Sequence, residues 1–240
     1  MLRLFVNQLI ELNKRLTLDE KQTHYLANVM KAKTGDRVGV FDGKTGEYEC
    51  KISEITRKSC SIEVVKKLKE FYQVPDVWLL FAPLKKDNTD FIIEKATELG
   101  ARKIMPVITQ RTISEKVKLE RFVMQSIEAS EQCGRLDLPE ISDALKLEKV
   151  LKDWDKNRVL FFMDESRLGK NIIDVFEEKG LKGKSCAILV GPEGGFTEAE
   201  FAMLRKLDFV KPISLGKRIL RAETAAITAL SCFQATLGDF

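Results

Sequence analysis

Five short, almost wholly apolar runs, each followed by a stretch with helical spacing, constrain the last two-thirds of this 240-residue chain. The runs cover residues 77–81, 104–108, 159–163, 187–190 and 212–215, and the spacing predicts helices over 90–99, 120–133, 172–179, 198–207 and 222–237. A strand with one wet face alternates apolar and polar residues, whereas one covered on both faces is apolar throughout. Continuous apolar strands alternating with helices therefore specify an α/β fold, a parallel sheet with helices on both sides.

Residues 1–70 carry the other pattern. Val38 and Val40, then Tyr48, Cys50 and Ile52, then Cys60, Ile62 and Val64 alternate with polar neighbours. That period of two predicts the half-buried strands of a small antiparallel barrel. Turns are signalled by Asp42-Gly43 through Gly46 and by Arg57-Lys58. Thr17 and Glu20 have capping-box spacing ahead of Leu26, Val29 and Met30, which recur at helical period until Gly35. The pattern changes between Lys66 and Pro75, so we expect a β domain over 1–70 and an α/β domain over 71–240.

Charge separates the same two parts. Residues 1–72 hold 14 basic and 10 acidic side chains, and the remainder holds 26 of each, so the whole net charge of +4 lies in the N-terminal third. A phosphate backbone would favour such a surface, and so would a merely solvated face; charge alone leaves both open. The five cysteines form no CxxC and the chain has a single histidine, His24, so no metal site is expected. Cysteines inside apolar runs, with neither a signal-like start nor an uncharged span of membrane length, predict a cytoplasmic protein without a membrane segment.

Open α/β sheets bind ligands beyond the carboxyl ends of their strands. After residues 187–190 comes Gly191-Pro192-Glu193-Gly194-Gly195-Phe196-Thr197, and Thr197 with Glu200 has capping-box spacing for the next helix. Three glycines and a proline in five residues favour close approach of backbone to a ligand. The glycine spacing is not GxGxxG. Gly183-Lys184-Ser185 would need its first phosphate-loop glycine at Glu178, and it precedes a strand instead of following one, which argues against an NTPase. The next strand leads into Leu215-Gly216-Lys217-Arg218-Ile219-Leu220-Arg221-Ala222-Glu223. Arginine just before a helix start opposes the helix dipole, so Arg221 calls for something anionic nearby, either Glu223 or a ligand.

Together the two segments resemble the RsmE family closely, the ribosomal RNA small subunit methyltransferases E of the SPOUT superfamily. The resemblance extends through residues 90–100, 128–135, Gly35-Asp36 and Phe41-Asp42-Gly43, and so spans nearly the whole chain. It implies a PUA-like N-terminal β-barrel and a C-terminal SPOUT domain whose parallel sheet is tied in a trefoil knot. It also implies a homodimer, S-adenosyl-L-methionine as cofactor, and methylation of N3 of a uridine in 16S rRNA. On that reading the cofactor-binding positions are Leu189, Gly191, Pro192, Glu193, Gly194, Leu215, Gly216, Ile219 and Leu220. Gly191, Gly194 and Gly216 would offer bare backbone. Arg221 is the first candidate to stabilise charge on the uracil imide and Arg135 the second, with Glu223 orienting Arg221 or taking up the N3 proton. RNA contacts are expected from Arg3, His24, Lys31, Arg37 and Arg111. Tyr25 stands where the family often has a second histidine and Lys31 where it usually has arginine, which loses the bidentate fork. Gln110-Arg111-Thr112 varies a segment usually written Glu-Arg-Ser. The alternatives left open are a knot-fold RNA-binding protein without catalysis and a methyltransferase with another substrate.

Overall fold

The computed structural model describes residues 1–114, 117–166 and 168–240. They form two compact units, Met1–Gln73 with Ser130–Leu138, and Val74–Ala129 with Pro139–Phe240.

In the first unit, β1 (Arg3–Phe5), β2 (Arg15–Thr17), β3 (Arg37–Phe41), β4 (Gly46–Ile55) and β5 (Cys60–Glu70) make one sheet in the order β1-β3-β4-β5-β2. β1 pairs with β3 in parallel, and the other pairs are antiparallel. The predicted alternation holds: Val38, Val40, Cys50, Ile52, Cys60, Ile62 and Val64 all point into one core. Three register shifts between β4 and β5 are irregularities of the kind that bend a strand pair. Helix α1 (Glu20–His24) continues into a π-helical turn over Tyr25–Val29. Its cap differs from expectation. Thr17 is taken by the β2–β5 ladder opposite Ser61, and the capping box is Asp19 with Gln22. The tight turn at Asp42 follows from its carboxylate: burial would raise its pKa, but bonds from Thr45, Lys44 and Ile10 hold it below the ordinary value.

The second unit contains β6 (Val77–Phe81), α2 (Lys86–Glu98), β7 (Lys103–Ile108), α3 (Leu119–Cys133) as far as Ala129, β8 (Glu140–Ile141), β9 (Leu145–Lys146) and α4 (Leu147–Lys152). It continues through β10 (Val159–Met163), β11 (Lys170–Asn171), α5 (Ile172–Phe176), β12 (Cys186–Val190), α6 (Glu198–Leu204), β13 (Val210–Ser214) and α7 (Ala222–Thr236). Its strands follow the order β11-β13-β10-β12-β6-β7-β8, with β9 also on β7, and every pair is parallel. All five predicted strands and five predicted helices are present.

Helices α2, α5 and α7 bury their apolar faces with one side of the sheet, and α4 and α6 with the other. The alanine face of α7 (Ala222, Ala225, Ala226, Ala229) is buried inside this unit. Gln234 donates to the Leu99 carbonyl at 2.7 Å, tying the C-terminal ends of α2 and α7 together. At the amino-terminal rim of the sheet, Asp76 precedes β6, Arg158 precedes β10 and Ser185 precedes β12. Arg158 binds both Asp76 carboxylate oxygens at 3.1 and 2.7 Å, and the Ser185 hydroxyl donates to the same carboxylate at 2.6 Å. Burial would raise the Asp76 pKa, but these partners hold it below the ordinary carboxylate value.

Candidate active site

The carboxyl rim of the parallel sheet opens into a cleft of about 900 Å³. Its walls are the turns after β10, β12 and β13, the first turn of α2 and Arg111 from the segment after β7. That is where strand ends leave side chains and backbone free of the ladder.

The β12–α6 turn is built from its own side chains. Phe196 tucks under the turn, 2 % exposed, and its ring meets Phe162 and Phe201. A Cβ on Gly191 would come within 2.5 Å of that ring. Gly195 has φ +69°, and a Cβ there would meet the Glu165 carboxylate at 2.5 Å. On Gly194 a Cβ would touch the Arg111 side chain at 3.4 Å. Three glycines expected to be bare for a ligand, or simply to turn the chain, thus have protein packed where their side chains would be. Gly216, in the turn after β13, differs. Its φ is +101° and nothing lies within 4 Å of where a Cβ would stand, so it opens on the cleft. The Thr197–Glu200 capping box is present, and Glu200 also accepts from the Gln110 N–H at 2.8 Å.

Of the expected cofactor residues, Gly191, Pro192, Glu193, Gly194, Leu215, Gly216, Ile219 and Leu220 line this one cleft. Leu189 does not. Its side chain is fully buried and packed on the α4 and α6 side, whereas the next residue, Val190 at the end of the strand, does line the cleft. Arg221 and Glu223 line the cleft, but they form no ion pair. Among the described residues the Arg221 guanidinium has no hydrogen bond or ion-pair partner, and it occupies the N-cap of α7 without capping it. Glu223 Oε2 is buried with no hydrogen-bond partner. Two residues that line one cavity thus carry an unmatched cation and a buried, unmatched acceptor.

Arg135 belongs to the first unit, 4 % exposed, with a two-pronged bond to Asp137 at 2.7 and 3.1 Å, and it is not a lining residue of the cleft. Arg3 is also engaged. Its guanidinium binds Glu47 and the carbonyls of Ser130, Glu131 and Arg135 at 2.7–2.9 Å, and it lies over the Phe41 ring. It holds residues 130–135 onto the first unit's sheet, which leaves little of it for RNA. His24, Lys31 and Arg37 are exposed on that unit; Lys31 has φ +52°, and Arg37 pairs with Glu49 and borders a smaller hollow over Leu26 and Ile52. Arg111 donates to the carbonyls of Gly194 and Phe196 at 2.9 and 3.3 Å.

Sequence reasoning missed Glu165, Asn88 and Lys85 in the cleft wall. Glu165 was accessible to it, since Asp164-Glu165-Ser166 directly follows β10 and so falls on the carboxyl rim. Burial pushes the Glu165 pKa up, partly countered by bonds from backbone N–H groups.

A mostly apolar cleft at the carboxyl rim, beside unmatched charges, defines a small-molecule site on an enzyme-like α/β fold. A model of the RNA methyltransferase domain matches residues 72–234, and one of the RNA methyltransferase PUA domain matches residues 18–65. The ribosomal RNA small subunit methyltransferase E of Rickettsia conorii is 34% identical over 230 residues, covering 95% of this chain and 93% of its own length. That of Bacillus subtilis is 32% identical over 235 residues, covering 93% and 91%. The crystal structure of the Neisseria gonorrhoeae ribosomal RNA small subunit methyltransferase E bound to S-adenosyl methionine superposes with a TM-score of 0.90 at 26% identity, covering 100% of this chain and 99% of that one. The protein is an RNA methyltransferase by class, and within that class the chain belongs to the ribosomal RNA small subunit methyltransferase E family.

Proposed function

We propose that the protein transfers a methyl group from S-adenosyl-L-methionine to N3 of a uridine in 16S rRNA of the small ribosomal subunit. The observation that carries this reading is the single cleft shared by the two turns, after β12 and after β13. Its residues suit the donor on three counts. Gly216 presents open backbone. Ile219 is 72 % exposed and Leu220 partly so, leaving apolar surface for a flat base, worth about 1.5–3 kcal/mol per side chain when covered. Glu223 Oε2 lacks a donor, which an amino or hydroxyl group would supply. Pro192, Glu193 and Leu215 complete the wall, with Gly191 and Gly194 shaping the turn behind it.

When bound, the donor supplies an electrophilic methyl group on sulfur. The chain's own residues must align the uracil and manage its charge. Arg221, unmatched at the cleft, stabilises the negative charge that develops on the imide as the N3 proton leaves. On this reading Glu223 receives that proton, a role supported by the lack of an ion pair through which it could orient Arg221. His24, Lys31 and Arg37 supply contacts from the first unit to flanking RNA, where the chain's excess positive charge lies. The same reading makes residues 1–70 a PUA-like RNA-binding domain and 71–240 a SPOUT catalytic domain. The placement of β13 and β12 on either side of β10 supports a trefoil knot there. Assembly as a homodimer rests on family membership, since the alanine face of α7 is already covered within the chain. We place the protein in the cytoplasm, with its ribosomal RNA substrate; no helix among the described residues is long and apolar enough to cross a membrane.

Mass spectrometry of nuclease-digested 16S rRNA from a strain lacking the gene tests the substrate. One 3-methyluridine should disappear and return on complementation; an unchanged set of modified bases would reject it.

A further inference from the structure

The cleft-lining turn is held from two sides by charged side chains that the reaction itself leaves unused. Glu165, at the carboxyl end of β10, accepts the Phe196 N–H at 2.8 Å. Arg111, from the segment after β7, donates to the carbonyls of Gly194 at 2.9 Å and Phe196 at 3.3 Å. The peptide groups around Gly195 are therefore fixed on their N–H side by a carboxyl acceptor and on their C=O side by a guanidinium donor. Gly195 also has φ +69° and its missing side chain is the space that Glu165 fills, so turn and clamp fit one another. Arg111 was expected to contact RNA, but its Nη1 is already committed to two carbonyls.

We propose that Glu165 and Arg111 are positioning residues for the methyl donor: they act through the backbone of residues 194–196 to hold the β12–α6 turn in its donor-binding shape before the donor arrives. The inference rests on the methyl-donor reading of the cleft. Charge-assisted bonds are stronger than neutral ones, and a turn rich in glycine has more freedom to lose than any other. Preorganising it removes an ordering cost that each binding event would otherwise carry. The clamp thus affects how tightly the donor is held, and not the transfer step once it is held.

Isothermal titration of the full-length chain with S-adenosylhomocysteine, in the absence of RNA, reads this directly. Glu165→Ala and Arg111→Ala should each weaken binding at least about tenfold, the loss typical of a hydrogen bond to a charged group. Glu165→Gln keeps an acceptor oxygen for the Phe196 N–H and should stay within about threefold of the parent. Arg111→Lys loses the fork and should not rescue. In methyl transfer the KM for the donor should rise in parallel, with kcat at saturating donor and the affinity for RNA both little changed. Because both residues act on one turn, the double variant should bind only slightly more weakly than the worse single variant. Should either alanine variant fail to fold, Glu165→Gln and Arg111→Lys still divide the outcomes. Binding by Arg111→Lys equal to the parent, or by both alanine variants, would overturn the clamp. So would an Arg111→Ala variant that loses RNA and keeps the donor, which would return Arg111 to the RNA surface. A parent chain that binds no S-adenosylhomocysteine would instead reject the methyl-donor reading itself.

Discussion

At the scale of single residues, identical glycines do different work in this cleft, and only their neighbours distinguish them. Gly195 has Glu165 in the space of its missing side chain and a left-handed φ. Gly195→Ala should therefore lower stability by about 1–3 kcal/mol, read as a shift in the urea midpoint at constant slope. Gly216 has the same backbone demand but open space beyond it. Gly216→Ala should cost stability through that backbone demand alone, with no clash added, and should also lose donor affinity because its side chain projects where the donor would lie; a variant that binds normally would remove Gly216 from the site. Arg221 is separable in the same way. It caps nothing and pairs with nothing among the described residues, so Arg221→Ala should leave the unfolding midpoint unchanged or slightly raised, since a cation at a helix start opposes the dipole. Its kcat should fall by about 10²–10³, the effect typical of one lost oxyanion donor. Sequence made the glycines and Arg221 visible as oddities. It did not show that Phe196, Glu165 and Arg111 fill the gaps beside Gly191, Gly195 and Gly194, because those contacts bring together segments up to 83 residues apart.

At the scale of elements, the two rims of the parallel sheet divide the labour. The carboxyl rim keeps Arg221 and Glu223 Oε2 unmatched, while at the amino rim Asp76, Arg158 and Ser185 bind β6, β10 and β12 together just where each strand begins. The Arg158 guanidinium also stacks on Trp78 at 3.8 Å. Because the folded Asp76 pKa is depressed, its contribution is fully present above the unfolded value of about 3.9 and is lost as pH falls through the lower folded value. Asp76→Asn should therefore destabilise by about 2 kcal/mol at pH 7, a figure reduced from that of a fully buried pair because the carboxylate is partly exposed. The difference from the parent should shrink as the pH is lowered below 4; a constant difference from pH 7 to pH 2 would contradict this. Elements of five or more residues with a clear period were legible in sequence. The three-residue strands β1 and β2 and the two-residue strands β8, β9 and β11 were not, since so few residues cannot establish a period, and the six-residue α4 was missed as well. The α1 cap was misread for a related reason. Thr17–Glu20 and Asp19–Gln22 both have cap-former spacing, and the choice is made by Ser61, which pairs with Thr17 from 44 residues away.

At the scale of the whole molecule, the division into a β unit that carries the excess positive charge and an α/β unit that carries the cleft was visible before any coordinates. Burial on one face or two leaves its period in the sequence. What remained hidden was which charges are spoken for. Arg3 and Arg135 look like free cations in a basic sequence; in the folded chain Arg3 fastens residues 130–135 to the first unit and Arg135 is buried against Asp137. Arg221 looks no different in sequence, yet it lines the cleft without a partner. The central claim is that the turns after β12 and β13 together make one methyl-donor pocket. Its most direct test is a crystal structure of this chain with saturating S-adenosyl-L-methionine. The predicted result is density for the donor between residues 191–194 and 215–220, against Gly216 and Ile219 and within reach of Glu223. Density lodged elsewhere, or an empty cleft at saturation, would contradict it.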